Sequence, residues 1–201
     1  MMEQNDLWQE ERRLLACGCG VICGADEAGA GPLAGPVYAA AVILPEGLCI
    51  EGLNDSKKLT AKKRDLLFDE ICSKALSYAI VSVSAEEIDE IDILNARIKA
   101  MDTAIKGLSL VPDMALIDGN RDHGSRCAIE CSHELLIKGD SRSANIAAAS
   151  ILAKVSRDRY MDAAAKEYPE YAFEKHKGYG TKAHYQALDR FGPCPLHRKS
   201  F

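Results

Sequence analysis

The sequence lacks any apolar run near the roughly 20 residues that a membrane-spanning helix needs. Its N-terminal stretch, MMEQNDLWQEERRLL, also lacks the basic start and the apolar core of a secretory signal. Both absences argue against membrane insertion and export. We therefore expect a cytoplasmic location and no membrane partner.

Paired cysteines of the zinc-binding kind are missing as well. No C-x-x-C motif occurs among the eight cysteines, which are Cys17, Cys19, Cys23, Cys49, Cys72, Cys127, Cys131 and Cys194. A zinc site could be built from the first three, or from Cys127 and Cys131 with His133, but neither group has the spacing of a zinc ribbon or finger. Free thiols that fill small core sites in a reducing cytosol are the simpler interpretation.

Basic residues are outnumbered over the chain as a whole, with 25 Lys and Arg against 30 Asp and Glu. The net charge of −5 argues against a protein that coats nucleic acid through a uniformly basic surface. The last 31 residues differ, because residues 171–201 carry six basic and two acidic side chains, a net charge of +4. This segment is either a solvated basic face or, in the sharper interpretation, an edge that binds phosphates.

Length and organisation predict one globular domain over residues 1–201. Of these residues 47% are hydrophobic, enough to bury a core, and no repeat, linker or low-complexity stretch divides the chain. We expect a short polar helix over residues 1–15 and the basic segment at the C-terminus.

Apolar runs and helical patterns are mixed along the chain. We predict strands at residues 21–25, 37–44, 78–83, 114–117 and 134–137, the first two pairing as a hairpin. We predict helices at residues 60–76, 95–107, 143–168 and 182–190 and a short acidic helix after Ser84, with Thr60 as an N-cap. Such a mixture predicts an α/β layer architecture.

A glycine-rich stretch follows the first strand. Gly29, Gly31 and Ala34 fit the dinucleotide-binding pattern G-x-G-x-x-A, but that pattern needs a helix that begins within the glycines. Here Pro32 and Pro36 bracket the stretch and a strand follows, so we regard the match as accidental. No G-K-[ST] follows either, which excludes an ATPase-type phosphate loop.

Four acids stand at predicted strand ends. Asp26 and Glu27 follow the first strand, while Asp118 and Asp140 each follow a later apolar run beside a glycine. Each alone could be an ordinary loop or turn acid. Together they could gather at one region of a sheet, and oxygen donors without His or Cys suit Mg²⁺ or Mn²⁺. Because adjacent strand residues point to opposite faces, Asp26 and Glu27 can share a site only if the strand ends or twists there.

The order of motifs over residues 22–201 resembles bacterial ribonuclease HII, the type 2 ribonucleases H. The motifs are DEAGAGPLAGPV at 26–37, NDSKKL at 54–59, IDG at 117–119, KGDSRSANIAAASILAKVSRDR at 138–159, HKGYGTKAH at 176–184 and HRKSF at 197–201. The resemblance implies a ribonuclease H-like fold, in which helices flank a mixed central sheet. It implies an endoribonuclease that cuts RNA–DNA hybrids and single ribonucleotides embedded in duplex DNA, leaving 5′-phosphate and 3′-hydroxyl ends. We expect a monomer.

The same resemblance assigns roles to individual residues. Asp26, Glu27, Asp118 and Asp140 match the four catalytic acids, which would hold two divalent ions, Mg²⁺ or Mn²⁺. It further implies that Tyr179 packs on the sugar beside the ribonucleotide and that Lys57 lies close to the substrate backbone. Asp158 is a rival for the fourth acid, but a helix residue in solvent or paired with a neighbouring arginine is the better interpretation.

One loop departs from the family pattern. The family usually has Gly-Arg-Gly where this chain has Gly29, Ala30 and Gly31, and in the family that loop senses the ribose 2′-hydroxyl. Alanine keeps the backbone permissive but removes five N–H donors and a positive charge. A nucleic-acid-binding protein with impaired catalysis is therefore the alternative, and a different ribonuclease H-fold activity on DNA is a third possibility.

Overall fold

The computed structural model describes residues 6–53 and 59–201, which form a five-stranded sheet with helices on both faces. The strands are β1 (Ile22–Ala28), β2 (Val37–Ile43), β3 (Ser77–Val83), β4 (Met114–Asp118) and β5 (His133–Leu136). Their order across the sheet is β3-β2-β1-β4-β5. β1 and β2 pair antiparallel, as do β2 and β3, whereas β4 is parallel to both β1 and β5. The mixed sheet confirms the expected fold class.

Helices cover the sheet and the C-terminal region. They are α1 (Gln9–Ala16), α2 (Ala61–Lys74), α3 (Ala85–Ile91), α4 (Ile93–Lys106), α5 (Ala144–Glu167), α6 (Phe173–His176) and α7 (Lys182–Phe191). Side-chain oxygens of Thr60, Ser84 and Ser143 accept hydrogen bonds from backbone N–H groups three residues later and so cap α2, α3 and α5. The helix starts predicted at Thr60 and Ser84 are therefore confirmed. No helix of the described residues is long and apolar enough to cross a membrane.

Two apolar layers hold the sheet between α4 and α5. Along β2, Ala39 and Ala41 belong to the layer that contains α4, while Ala40 and Val42 belong to the layer that contains α5 and α2. This alternation follows from the opposite directions of successive strand side chains. Small side chains in α5 let this helix lie close to the sheet.

Helix α5 approaches the sheet closely at Gly24. A Cβ atom on this residue would lie 2.2 Å from the backbone nitrogen of Ile146 and 2.3 Å from the carbonyl carbon of Asn145. Asn145 also bridges two strands, since its Nδ2 donates to the Ile22 carbonyl and its Oδ1 accepts from the Leu44 N–H. The absent side chain of Gly24 thus sets the distance between α5 and β1.

The first strand is longer than its sequence predicted. We expected it to end at Ala25, but β1 continues to Ala28 because its pairing with β2 continues as far as Ala28 opposite Tyr38. Asp26 and Glu27 therefore lie inside a strand rather than after one. The short helix α6 is a second difference, since we expected loop at this position.

A prediction follows for Gly24. Gly24→Ala should lower the free energy of unfolding by about 1–3 kcal/mol, because the new methyl group meets helix backbone that cannot rotate away. At roughly 2–4 °C per kcal/mol for a chain of this size, thermal unfolding detects the change. The control is Gly31→Ala, whose Cβ would meet only the Tyr179 ring edge at 3.9 Å. Equal melting temperatures for the two variants would contradict the close approach.

Candidate active site

The parallel pairing of β1 and β4 brings acidic residues to one edge of the sheet. Ala25 is opposite Ile117 in this pairing, so the next residues along the two strands are Asp26 and Asp118. Both follow residues with no exposed surface. The carboxyl ends of parallel strands are where sites in α/β sheets are commonly built.

Asp26 is a buried carboxyl group among other acids. Its Oδ1 accepts a hydrogen bond of 2.7 Å from the Glu27 N–H, and its side chain also bonds to Ser150 of α5. Burial raises its pKa well above the ordinary value, and the charges of Glu27 and Asp118 raise it further. Each additional negative charge at this edge therefore costs free energy unless a cation is present.

Glu27 points to the other face of the sheet. Its carboxylate forms an ion pair of 2.5 Å with Arg97 of α4. Burial raises the pKa of Glu27, Arg97 acts in the opposite direction, and Asp118 adds to the increase. The strand does not end at these residues, which is why the two carboxylates diverge, yet Asp118 acts electrostatically on both.

Asp118 is tied to the turn that carries Asp140. Its Oδ1 accepts a hydrogen bond of 2.7 Å from the backbone N–H of Gly139. Asp140 follows within a short 3₁₀ turn, Gly139–Ser141, and is itself buried. The structure thus brings Asp26, Glu27 and Asp118 to one edge and links Asp140 to it through one hydrogen bond. Among the described side chains, no three His, Cys, Asp or Glu already surround a common point as a finished metal site.

Helix α1 braces the same turn. Glu11 Oε1 accepts from Ser143 Oγ at 2.6 Å and from the Asn145 N–H at 3.1 Å, at the N-terminus of α5. Glu10 forms an ion pair with Arg142. Both acids are buried, although we expected only a short polar helix over residues 1–15; the helix observed is Gln9–Ala16. The N-terminal helix thus supports the turn that holds Asp140.

The loop after β1 rests on a buried arginine from the C-terminus. Arg198 donates from Nη2 to the Gly29 carbonyl at 2.6 Å, from Nη1 to the Ala30 carbonyl at 2.9 Å and from Nε to the Gly35 carbonyl at 2.9 Å. Burial lowers the pKa of Arg198 to about 10, and the nearby Arg157 contributes to the decrease. The loop backbone is held without any contribution from the side chain of residue 30.

A second buried arginine lies beside the first. Arg157 of α5 donates from Nε to the Pro36 carbonyl at 3.0 Å and from Nη2 to the Ala34 carbonyl at 3.1 Å. Its guanidinium carbon is 5.9 Å from the centre of the Tyr179 ring. A Cβ atom on Gly29, where φ is +95°, would lie 2.0 Å from Arg157 Nε, so only glycine fits here.

Tyr179 stands next to this loop with 46% of its surface exposed. Of the expected substrate residues, Gly31 lies next to the Tyr179 ring and is exposed, Ala30 is half-buried, and Gly29 is buried beneath them. Lys57 lies outside the described residues.

Comparison with known proteins decides the family. The sequence matches the model of the family described as ribonuclease HII over residues 23–201. The ribonuclease HII of Caldicellulosiruptor bescii is 49% identical over 201 residues, which cover 100% of this chain and 96% of that protein.

The chain belongs to the ribonuclease HII family. It is thus a ribonuclease H, a nuclease that hydrolyses phosphodiester bonds and depends on divalent metal ions as its family does.

Solved structures agree with this family. The crystal structure of ribonuclease H2 from Pyrococcus horikoshii OT3 is 26% identical, covers 90% of this chain and 94% of that chain, and gives a TM-score of 0.75. A structure of Bst-RNase HIII in complex with Mn²⁺ is 19% identical, covers 90% of this chain and 67% of that chain, gives a TM-score of 0.64, and supports the fold alone. The ribonuclease H-like fold is confirmed.

Two of our expectations need correction. Asp158 is a helix residue away from the site, as expected, but its partners are Lys154 at 2.8 Å and Arg64 at 3.6 Å rather than the neighbouring arginines. Arg157 and Arg159 turn elsewhere, the first to the loop and the second to Asp65.

The cysteines are free thiols, as expected, but they do not all fill the core. Cys23 is fully buried, whereas Cys17 and Cys49 are exposed. Within residues 6–53 and 59–201 neither proposed cysteine group forms a metal cluster.

The sequence did not point to six residues that form ion pairs or hydrogen bonds around the site, namely Arg97, Arg157, Arg198, Glu10, Glu11 and Ser150. Arg157 and Arg198 stand within the motifs SRDR and HRKSF, but membership of a motif gives no information about burial.

A prediction follows from the crowded carboxylates. Asp26→Asn should raise the melting temperature of the metal-free protein at pH 7, because a neutral amide avoids the cost that burial and the charges of Glu27 and Asp118 impose on an ionisable carboxyl group here. A gain of about 1 kcal/mol corresponds to roughly 2–4 °C. Thermal unfolding in excess chelator measures it, with the exposed Asp189→Asn as control. A lower melting temperature for Asp26→Asn would contradict the repulsion.

Proposed function

We propose that the chain is an active endoribonuclease that cuts the RNA strand of RNA–DNA hybrids and single ribonucleotides embedded in duplex DNA. The observation that carries the proposal is the group of mutually repelling carboxylates near the carboxyl ends of β1 and β4, beside the glycine loop and the exposed Tyr179. Products would carry 5′-phosphate and 3′-hydroxyl ends. We infer one catalytic domain, with residues 171–201 along the substrate.

The donor set suits hard divalent cations. Asp26, Glu27, Asp118 and Asp140 offer only carboxylate oxygens, the ligands of Mg²⁺ and Mn²⁺. Two such ions, when bound, would activate the attacking water and stabilise the leaving 3′ oxygen. The raised pKa of Asp26 and of Glu27 supports this assignment, because divalent charge relieves the repulsion that causes the increase.

In the absence of metal, Arg97 partly neutralises the charge of Glu27. Its guanidinium occupies one carboxylate oxygen through the 2.5 Å ion pair. Glu27 would therefore hold a metal ion through its other oxygen. Arg97 can keep the second oxygen oriented, so we assign it a positioning role.

Selection of ribonucleotides would depend on the loop and on Tyr179. Arg198 holds the carbonyl groups of Gly29 and Ala30 toward the protein interior, which fixes the loop backbone beside the acids. A fixed backbone can recognise a 2′-hydroxyl without help from a side chain at residue 30. Tyr179 would pack against the adjacent sugar.

The first prediction of activity concerns Asp118. Asp118→Asn should reduce cleavage of duplex DNA with one ribonucleotide by more than about 100-fold, because it removes ligand charge while preserving shape. The measurement is single-turnover cleavage in Mg²⁺ and in Mn²⁺. Asp158→Asn is the matched control, since this acid lies on α5 in ion pairs of its own.

An all-DNA duplex separates the proposal from its alternatives. Cutting of that duplex would indicate a different ribonuclease H-fold activity. Binding of the ribonucleotide substrate without cutting by the wild-type chain would indicate an impaired enzyme. Near-normal turnover of Asp118→Asn would overturn the assignment of this acid.

The second prediction of activity concerns Ala30. Ala30→Arg should raise cleavage efficiency on the single-ribonucleotide duplex by about tenfold, since a charged hydrogen bond to phosphate contributes roughly 1.5–3 kcal/mol and part of it is lost to ordering. It should also steepen the salt dependence by about one counterion. Ala30→Gln is the control, because it adds length and donors without charge. If both variants match wild type across a salt series, residue 30 does not reach the substrate.

A further inference from the structure

Three separate segments meet behind Tyr179. The Leu33 N–H donates to the Gly178 carbonyl at 2.9 Å, and the Gly35 N–H donates to the Leu196 carbonyl at 2.8 Å. The Arg198 N–H donates back to the Leu33 carbonyl at 2.9 Å. The loop after β1, the turn of Tyr179 and the C-terminal segment at residues 196–198 are therefore joined by backbone hydrogen bonds.

Two buried histidines connect the same segments from inside. His184 of α7 has no exposed surface and His197 has 7%. Their Nε2 atoms are 3.0 Å apart. His184 Nδ1 is 3.0 Å from the Tyr179 carbonyl oxygen, and His197 Nδ1 is 2.9 Å from the Cys194 backbone nitrogen. The pair thus lies between a carbonyl group, which can only accept a hydrogen bond, and a backbone N–H, which can only donate one.

The backbone groups at the two ends of this hydrogen-bond chain, the Tyr179 carbonyl and the Cys194 N–H, determine which ring nitrogens carry protons. A carbonyl oxygen only accepts, so His184 must carry its proton on Nδ1 and leave Nε2 as an acceptor. His197 must then carry its proton on Nε2, which leaves its Nδ1 free to accept from the Cys194 N–H. The Cys194 carbonyl oxygen is also 3.2 Å from this Nδ1, but donation to it would reverse both rings and set His184 Nδ1 as an acceptor against the Tyr179 carbonyl. Only one direction satisfies every group.

The surroundings keep both rings neutral. Burial lowers the pKa of His184 and of His197. The titratable groups packed against the pair are His176, whose ring stacks on His184 at 4.6 Å, together with Tyr171 and Cys194. None of them supplies a negative charge at neutral pH. An added proton on either ring would set two N–H groups against each other at 3.0 Å.

We propose that His184 and His197 are positioning residues, whose hydrogen-bond chain from the Cys194 N–H to the Tyr179 carbonyl holds Tyr179 in place beside Gly31 for recognition of the ribonucleotide. The inference rests on the proposed contact of Tyr179 with the substrate. It assigns to the pair a role in substrate binding and none in the chemical step.

Low pH should disrupt the hydrogen-bond chain through His184 and His197. The unfolded protein takes up protons near the ordinary histidine pKa of 6.5, while the folded pair takes them up only at lower pH. The stability that the pair contributes is therefore complete above 6.5 and declines as the pH falls below it. Recognition by Tyr179 should weaken over the lower pH range, in which the folded rings become protonated.

Long-range ¹H–¹⁵N spectra of the full-length protein test the hydrogen-bond chain directly, without substrate or metal. At pH 7.5 we expect His184 as the Nδ1–H tautomer, His197 as the Nε2–H tautomer, and both neutral. The opposite tautomers, or a charged ring at this pH, would overturn the proposal.

Kinetics on duplex DNA with one ribonucleotide test the consequence. His184→Leu should raise KM by about three- to tenfold with kcat nearly unchanged, since it removes one hydrogen bond that positions Tyr179. His184→Asn should restore most of the affinity, because its amide N–H can still reach the Tyr179 carbonyl. The exposed His123→Ala is the control. In a Tyr179→Ala background, His184→Leu should add nothing further.

The outcomes separate this inference from the function on which it rests. An inactive wild-type chain would contradict the proposed function. If the wild-type chain is active and Tyr179→Ala raises KM, but His184→Leu raises KM further in the Tyr179→Ala background, only the histidine role is overturned. An unchanged KM for Tyr179→Ala would remove the substrate contact of Tyr179, and the histidine role with it. Failure of His184→Asn to restore KM, with both variants losing thermal stability alike, would reduce the pair to a core contact and overturn the proposal.

Discussion

Repulsion among the carboxylates near the carboxyl ends of β1 and β4 is the interaction on which the site depends. Parallel pairing of these strands leaves no freedom to separate Asp26 from Asp118, because the register places Ala25 opposite Ile117. Burial then raises the pKa of Asp26 and of Glu27 and makes each charge expensive. Arg97 offsets part of this cost on one face of the sheet. A fold that keeps such a group is poised to bind cations, which accords with the divalent-metal dependence of its family.

The loop beside the acids is held in place by buried charges of the opposite sign. Two guanidinium groups, Arg157 and Arg198, are buried beneath the loop after β1 and donate hydrogen bonds to its carbonyl oxygens. Loss of either would leave carbonyl groups unpaired away from water, which costs more than the hydrogen bonds contribute. The loop is therefore shaped by the protein core. This explains how Ala30 can replace the usual arginine without loss of the loop conformation, and it limits the effect of the replacement to direct contacts with substrate.

Sequence alone predicted the features that local chemistry determines. The hairpin of β1 and β2, the caps at Thr60 and Ser84, and the placement of Asp118 at a strand end follow from short apolar runs and neighbouring turn residues. The extension of β1 past Asp26 was not predictable, because it depends on pairing with β2.

Long-range contacts account for most of the remaining differences. The burial of Glu11 depends on Ser143, which is 132 residues away in sequence, and the Arg198 contacts with the glycine loop span a similar distance. The same holds for the contact between His184 and His197, whose tautomers follow from backbone groups that only the folded chain brings together. The role of Lys57 stays a prediction, as it lies outside the described residues.

Binding of Mn²⁺, followed by the loss of its free-ion paramagnetic resonance signal, tests the central claim most directly. If the carboxylates near the carboxyl ends of β1 and β4 form the metal site, the wild-type chain should bind Mn²⁺ saturably at this site, and Asp118→Asn should lose most of that binding while remaining folded. Saturable binding of equal strength and stoichiometry in both proteins, or none in the wild type with substrate present, would contradict the account.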